Sequence, residues 1–121
     1  MMSAAHDIHY MAQIGRGLLV LHPSLGIVVS AYAQCGRNLV LTGGNCIGVR
    51  KRLVRGDLVL GDDVTLGANS VVLGPVRIGD RCIIGAGAVV VSDAPAGSVL
   101  VGVPAQVRTR GDSEADTDTM T

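Results

Sequence analysis

The sequence predicts an all-β protein, a single-stranded parallel β-helix of about four triangular coils. Three observations carry that prediction. Branched aliphatics recur every six residues, at Leu60, Leu66, Val72, Ile78, Ile84 and Val90. The next residue is mostly glycine (Gly61, Gly67, Gly79, Gly85; Leu73 and Val91 are the exceptions), and four places after each aliphatic comes a small side chain: Val64, Ser70, Val76, Cys82, Ala88, Ala94. The 121 residues are 48% hydrophobic, yet they include no Phe or Trp and only two aromatics, Tyr10 and Tyr32. A period of six matches neither the 3.6 of a helix nor the uneven strand spacing, about 8–12 residues, of a β-sandwich.

Each hexad supplies one short strand and one turn. The aliphatic anchor points inward, and the small residue two pleats away fills the rest of a narrow cross-section. Three hexads close a triangle, so each strand pairs in parallel with the strand roughly eighteen residues later. Such an interior has no room for an aromatic ring, which accounts for the missing Phe and Trp.

Along the chain, Ile14 and Val20 share the downstream phase, which then slips by one residue to Ile27, Ala33, Leu39 and Asn45. Ten of these twelve anchors are Ile, Leu or Val, and twelve hexads make four coils. Residues 49–57 (VRKRLVRGD) fit no hexad and are expected to loop out of a coil. Residues 108–121 lose the period and are polar and acidic, which predicts a flexible tail after a β-helix domain spanning 1–107.

The charge balance excludes several functions. Ten basic and ten acidic residues cancel, which with the shortage of stacking aromatics argues against a nucleic-acid partner. The balance is made of two local features: Arg50, Lys51, Arg52 and Arg55 form a basic loop, and Asp112, Glu114, Asp116 and Asp118 an acidic terminus. No apolar run approaches the ~20 residues that span a bilayer, and residues 1–13 lack a signal-peptide core, so a cytoplasmic protein with no membrane partner is expected. Cys35, Cys46 and Cys82 form no CxxC and are odd in number, which favours buried free thiols over a disulfide framework or a zinc site.

Several segments resemble the left-handed β-helix acyltransferases, and among them the catalytic domain of serine O-acetyltransferases. They are DIH (7–9), IGRG (14–17), His22, GIVV (26–29), LGANSVVLGPVRIG (66–79), IGAGAVV (84–90) and GVPAQV (102–107). The resemblance implies a left-handed coil and acetyl transfer from acetyl-CoA without a metal. It implies a homotrimer with active sites at the subunit interfaces. His22 matches the family's general base and Asp7, fifteen residues earlier, its carboxylate partner. A hydroxyl is a weak nucleophile until a base takes its proton, and a carboxylate on the far ring nitrogen orients the imidazole and stabilises the imidazolium. The plainer alternative for His22 is a surface histidine at a turn, and for Asp7 an N-terminal turn residue. His9 also matches a family histidine but is followed by Tyr10 in place of proline, which favours a structural role; His6 reads as a solvated terminal residue.

The resemblance places the pantetheine arm of CoA against Gly48, Val49, Ala68 and Ala86, where small residues let a thin chain lie on the backbone. A backbone N–H near Gly48 is a candidate oxyanion donor. Arg50, Lys51, Arg52 and Arg55 are candidates for the CoA phosphates, against the alternative of a solvated, solubilising loop.

Around the acceptor the chain departs from the family. Leu21 stands where the family has an Asp before the base, Gly56 and Asp57 replace an Arg–His pair, and one residue is inserted after His22. Leu21 and Asp57 are thus the candidate acceptor contacts, for serine or a serine-like hydroxyl compound. No counterpart of the family's N-terminal helical domain is recognised, which predicts a trimer rather than a hexamer. These departures motivate a second reading, a catalytically degenerate trimer with a structural or regulatory role. A third, a β-helix carbonic anhydrase, needs three histidines from neighbouring coils and subunits, whereas His6, His9 and His22 all lie near the N-terminus.

Overall fold

Strands of two to five residues that turn the same way every six residues find their parallel partners one whole coil away. A computed structural model describes residues 6–50 and 54–108 and has this architecture. Its strands are β1 (His6–Ile8), β2 (Gln13–Ile14), β3 (Leu19–Val20), β4 (Ile27–Val29), β5 (Gln34–Cys35), β6 (Val40–Leu41), β7 (Asn45–Val49), β8 (Leu58–Leu60), β9 (Thr65–Leu66), β10 (Val71–Gly74), β11 (Val76–Ile78), β12 (Ile83–Ile84), β13 (Val89–Val90), β14 (Val99–Gly102) and β15 (Ala105–Arg108). They stack into three sheets, the faces of a prism. The first face runs β1-β4-β7-β10-β13, the second β2-β5-β8-β11 and the third β3-β6-β9-β12-β14-β15. Every ladder is parallel except the last, where Gly102–Ala105 reverses the chain and β15 pairs antiparallel with β14. The coil is a left-handed β-helix of about four turns, as the repeat and the resemblance predicted.

The core is a set of inward columns. On the third face Val20, Leu41, Leu66, Ile84 and Leu100 stack in register. Leu41, Leu66 and Ile84 are 0% exposed, and each such aliphatic contributes about 1.5–3 kcal/mol of burial. A second inward row holds the smaller side chains, among them Val64, Ser70, Val76, Cys82 and Ala88, all buried.

These two rows correct the reading of the early repeat. Ile8 pairs with Val29, Ile14 with Cys35 and Val20 with Leu41. The anchor column therefore continues through Val29, Cys35, Leu41 and Ile47, and Ile27, Ala33, Leu39 and Asn45 belong to the second row. The phase slips by three residues, across a 3-10 turn at Pro23–Leu25, not by one. Each hexad points two residues inward, two pleats apart, so one row imitates the other wherever both are apolar.

Cα partners are eighteen residues apart where the repeat is regular (Val28 with Cys46, Val71 with Val89), twenty-one across the 3-10 turn (Asp7 with Val28) and twenty-five across the basic loop (Cys46 with Val71). That loop is extruded as expected, although Val49 still ends β7 and packs on the core. At the other end β15 extends to Arg108, and the expected tail from 109 lies outside the described residues. No helix among them is long and apolar enough to cross a membrane.

The edge between the second and third faces is a polar ladder. Asn38, Asp63 and Arg81 take left-handed conformations there, with φ near +60° (59°, 58°, 60°). Side chains brace the turns: Arg37 N–H donates to Asp62 Oδ1 (2.8 Å), Asp62 N–H to Asp80 Oδ1 (2.8 Å), and Asn38 Nδ2 to Asp63 Oδ1 (3.0 Å).

Candidate active site

His22 lies at the opposite kind of edge, where the third face turns into the first. It follows β3 and caps the Pro23–Leu25 turn; its N–H donates to Thr42 O (2.9 Å) and its carbonyl accepts from Leu25 N–H (3.1 Å). The side chain is exposed. Directly above it in the next coil is Gly43, whose φ is +143°. A Cβ at Gly43 would stand 2.9 Å from His22 O and 3.2 Å from His22 Cβ, so only glycine leaves room for the histidine there.

The same edge continues upward through two of the presumed CoA positions. Asn69 N–H donates to Gly43 O (2.9 Å) and Gly87 N–H to Ala68 O (2.8 Å). His22, Gly43, Ala68 and Ala86 thus form one column of small residues above the histidine, with Leu25 Cδ1 against Gly43, 3.0 Å from where its Cβ would stand.

Asn45, which the repeat presented only as an off-pattern anchor, is the internal brace of this edge. Its Oδ1 accepts Gly43 N–H (2.9 Å), and its Nδ2 donates to Gly67 O (2.8 Å), Ser70 O (3.2 Å) and Ser70 Oγ (3.1 Å). An asparagine in an aliphatic row was the signal; its partners, two to twenty-five residues away, became known only from the coil.

Asp7 faces outward on β1 beside Val28 of β4. The structure does not join Asp7 and His22 by a hydrogen bond; one lies on the first face and the other at its border. His9 accepts Met11 N–H at Nδ1 (3.1 Å) and stacks on Tyr10 (centroids 4.6 Å apart), which fits the structural role expected of it.

The remaining candidates cluster at the far end of the first face, where it turns into the second. Gly48 is buried in β7 under Ser30, Cys46 and Leu73. Cys46 N–H donates to Ser70 O and Arg50 N–H to Gly74 O, so the alternation of a parallel ladder directs the Gly48 N–H toward β10 and away from an oxyanion. Arg50 Nη2 donates to Val91 O (3.0 Å), and the Arg55 guanidinium sits 5.0 Å over the Tyr32 ring; both arginines pin the loop to the coil. Lys51 and Arg52 lie outside the described residues. Asp57 is half-buried, its N–H closing a turn onto Val54 O (3.1 Å). Leu21, half-exposed beside His22, is on the opposite edge, so one chain does not bring Leu21 and Asp57 together.

Two thiols, Cys35 and Cys82, are buried as expected, and burial pushes Cys35 up to about 12. Cys46 differs. It faces outward on the first face and is only partly buried, which still raises its pKa.

Residues 57–92 match the bacterial transferase hexapeptide (six repeats) family. The chain is a hexapeptide-repeat β-helix. It is 43% identical to serine acetyltransferase 1, chloroplastic, of Arabidopsis thaliana over 106 residues, 87% of this chain and 33% of that protein. Among solved structures it resembles the serine acetyltransferase of Neisseria gonorrhoeae (TM-score 0.80, 38% identity, 94% of this chain and 44% of that one). It also resembles the Brucella abortus enzyme in complex with coenzyme A (TM-score 0.78, 30% identity, 85% and 41%). A complex of the Neisseria enzyme with serine gives a TM-score of 0.76 at 40% identity, covering 84% of this chain and 42% of that one. This chain therefore spans less than half the length of these relatives.

Proposed function

We propose that this hexapeptide coil performs acetyl-CoA-dependent O-acetyl transfer to a small hydroxyl-bearing acceptor, serine or a serine-like metabolite. The observation that carries the reading is the column at the third-to-first edge, an exposed histidine in line with the small residues Gly43, Ala68 and Ala86. A thin pantetheine arm fits along such an edge, delivering its thioester to the imidazole. Resemblance to structures solved with coenzyme A and with serine supports both substrates.

In this scheme His22 takes the acceptor's hydroxyl proton as its oxygen bonds to the acetyl carbon. The tetrahedral intermediate collapses, the carbon–sulfur bond breaks, and His22 returns the proton to the CoA thiolate. Asp7 orients the imidazole once substrates close the site, since its carboxylate lies one strand away on the face that His22 borders. His22→Ala is expected to lower kcat by roughly 10²–10⁴-fold, the usual worth of a general base; unchanged CoA-thiol release with the true acceptor sinks the mechanism.

The division of candidates between two edges supports a site shared between subunits of a homotrimer. If the His22 edge of one protomer meets the Arg50–Asp57 edge of its neighbour, Leu21, His22, Ala68 and Ala86 come to face Asp57 and the basic loop across one groove. In that arrangement Lys51 and Arg52 reach the CoA phosphates, while Arg50 and Arg55 hold the loop that carries them.

The separation of Asp7 from His22 favours a second reading, a catalytically degenerate trimer with a structural role. Isothermal calorimetry with CoA separates the two: the transferase binds it, and the scaffold releases no heat and shows no competition with acetyl-CoA.

A further inference from the structure

An amino-acid acceptor brings an ammonium along with its hydroxyl, and an ammonium taken out of water needs a carboxylate. The His22 edge has none to give. Residues 17–36 contain no Asp, Glu, Lys or Arg, and Asp7 is engaged in orienting the imidazole. The partner for the ammonium therefore falls to the other wall of the shared groove, the first-to-second edge of a neighbouring protomer.

Among the described residues that edge carries two carboxylates, Asp57 and Asp93, in different situations. Asp93 is engaged, its Oδ1 accepting Arg77 N–H (2.8 Å). Asp57 is fixed through its backbone instead: its N–H donates to Val54 O (3.1 Å) and its carbonyl accepts Val76 N–H (2.7 Å). Its half-buried side chain makes no hydrogen bond or ion pair with the described residues. The arginines nearby are held elsewhere. Arg50 Nη2 donates to Val91 O (3.0 Å), and the Arg55 guanidinium lies 5.0 Å over the ring of Tyr32, on the same edge one coil below.

Tyr32 is an unusual residue for its place. Its φ is +63°, and three of the four other non-glycine residues in that region are Asn or Asp, the types that tolerate it, whereas a bulky ring is an outlier. It is also one of only two aromatics in the chain. What the ring does there is hold Arg55.

We infer that Asp57 of one protomer binds the ammonium of an amino-acid acceptor whose hydroxyl faces His22 of the next, and that Tyr32 is the positioning residue that keeps Arg55 from neutralising Asp57. The inference rests on acetyl transfer in the shared groove proposed above. An ammonium donates to a free carboxylate in a charge-assisted hydrogen bond; a carboxylate already paired with a guanidinium offers it far less.

L-serine and 3-hydroxypropanoate share a hydroxyl and a carboxylate and differ by the ammonium. With the wild-type protein and acetyl-CoA, kcat/KM from CoA-thiol release is expected to be at least about tenfold higher for L-serine. Asp57→Asn, which keeps the backbone turn, is expected to lower that ratio by about tenfold or more, chiefly through KM for L-serine. Tyr32→Ala is expected to raise the same KM by roughly two- to fivefold, the worth of an exposed cation–π contact, with little change in kcat. Tyr32→Phe, which keeps the ring under Arg55, is expected to restore KM, as is removal of the cation in the double variant Tyr32→Ala with Arg55→Gln. Equal use of the two compounds, or an unchanged ratio in Asp57→Asn, overturns the inference; a double variant no better than Tyr32→Ala overturns the role of Tyr32. CoA calorimetry keeps the failures apart. No CoA binding, or binding without turnover of either compound, brings down acetyl transfer and the inference with it, whereas binding with equal turnover of both brings down only the ammonium site.

Discussion

Asn45 shows how one polar residue inside an aliphatic coil sets the shape of a site on its surface. Its side-chain amide closes the turn at Gly43 and ties the coil of Gly43 to the coil of Ala68 through Gly67 and Ser70. Asn45→Ala leaves the Gly43 N–H without an acceptor, and urea denaturation is expected to show a loss of about 1–3 kcal/mol. The cysteines make a second prediction at this scale. A thiol held at about 12 by burial offers almost no thiolate at neutral pH, so Cys35 should resist iodoacetamide in the native protein, and Cys82, 0% exposed, is out of the reagent's reach. Intact mass is expected to record adduct at Cys46 first and at all three cysteines only in denaturant. The hexad pattern foretold the burial of Cys82; Cys46 required the pleat, which turns its side chain outward between Val28 and Val71.

At the scale of the elements, the two kinds of edge do different work. The Asp62 edge is a stability device. Its carboxylate accepts the Arg37 N–H and faces the Arg37 guanidinium at 3.4 Å, and these contacts hold its pKa below the ordinary range against a smaller opposing effect of burial. The folded carboxylate binds its proton less tightly than the unfolded one. Its contribution is therefore complete above the ordinary carboxylate pKa and disappears as pH falls through the folded value. Thermal melts are expected to show an acid-side loss of Tm that is shallower in Asp62→Asn. Both edges bring backbones close, and the His22 edge does so without the bracing carboxylates. A Cβ at Gly67 would lie 2.7 Å from Ala86 N and 3.0 Å from Ala86 Cα, so Gly67→Ala must push two coils apart. A cost of about 1–3 kcal/mol and weaker CoA binding, read by calorimetry, are expected together. Glycine after the anchor was plain in the hexad, whereas the backbone it must admit comes from the following coil.

For the whole molecule, the arrangement of charge and the placement of the site depend on coiling. Light scattering is expected to return three chain masses, because the candidate groups fall on two edges that a single chain cannot bring together; a monomer that binds CoA and turns over at full rate refutes the shared groove. The sequence by itself determined the β-helix and its loop, since a period of six and the absence of large rings leave a narrow parallel coil as the only economical way to bury the aliphatics; His22 became a base candidate through the family resemblance. It misplaced the early register by two residues, because both inward rows of a hexad are apolar and only strand pairing tells them apart. Only the tertiary structure decided that His22 shares an edge with Gly43, Ala68 and Ala86, and that Arg50 and Arg55 are bound to the coil. Each of these depends on which residues one coil places above another, a distance of eighteen, twenty-one or twenty-five residues that the inserted turn and loop set locally.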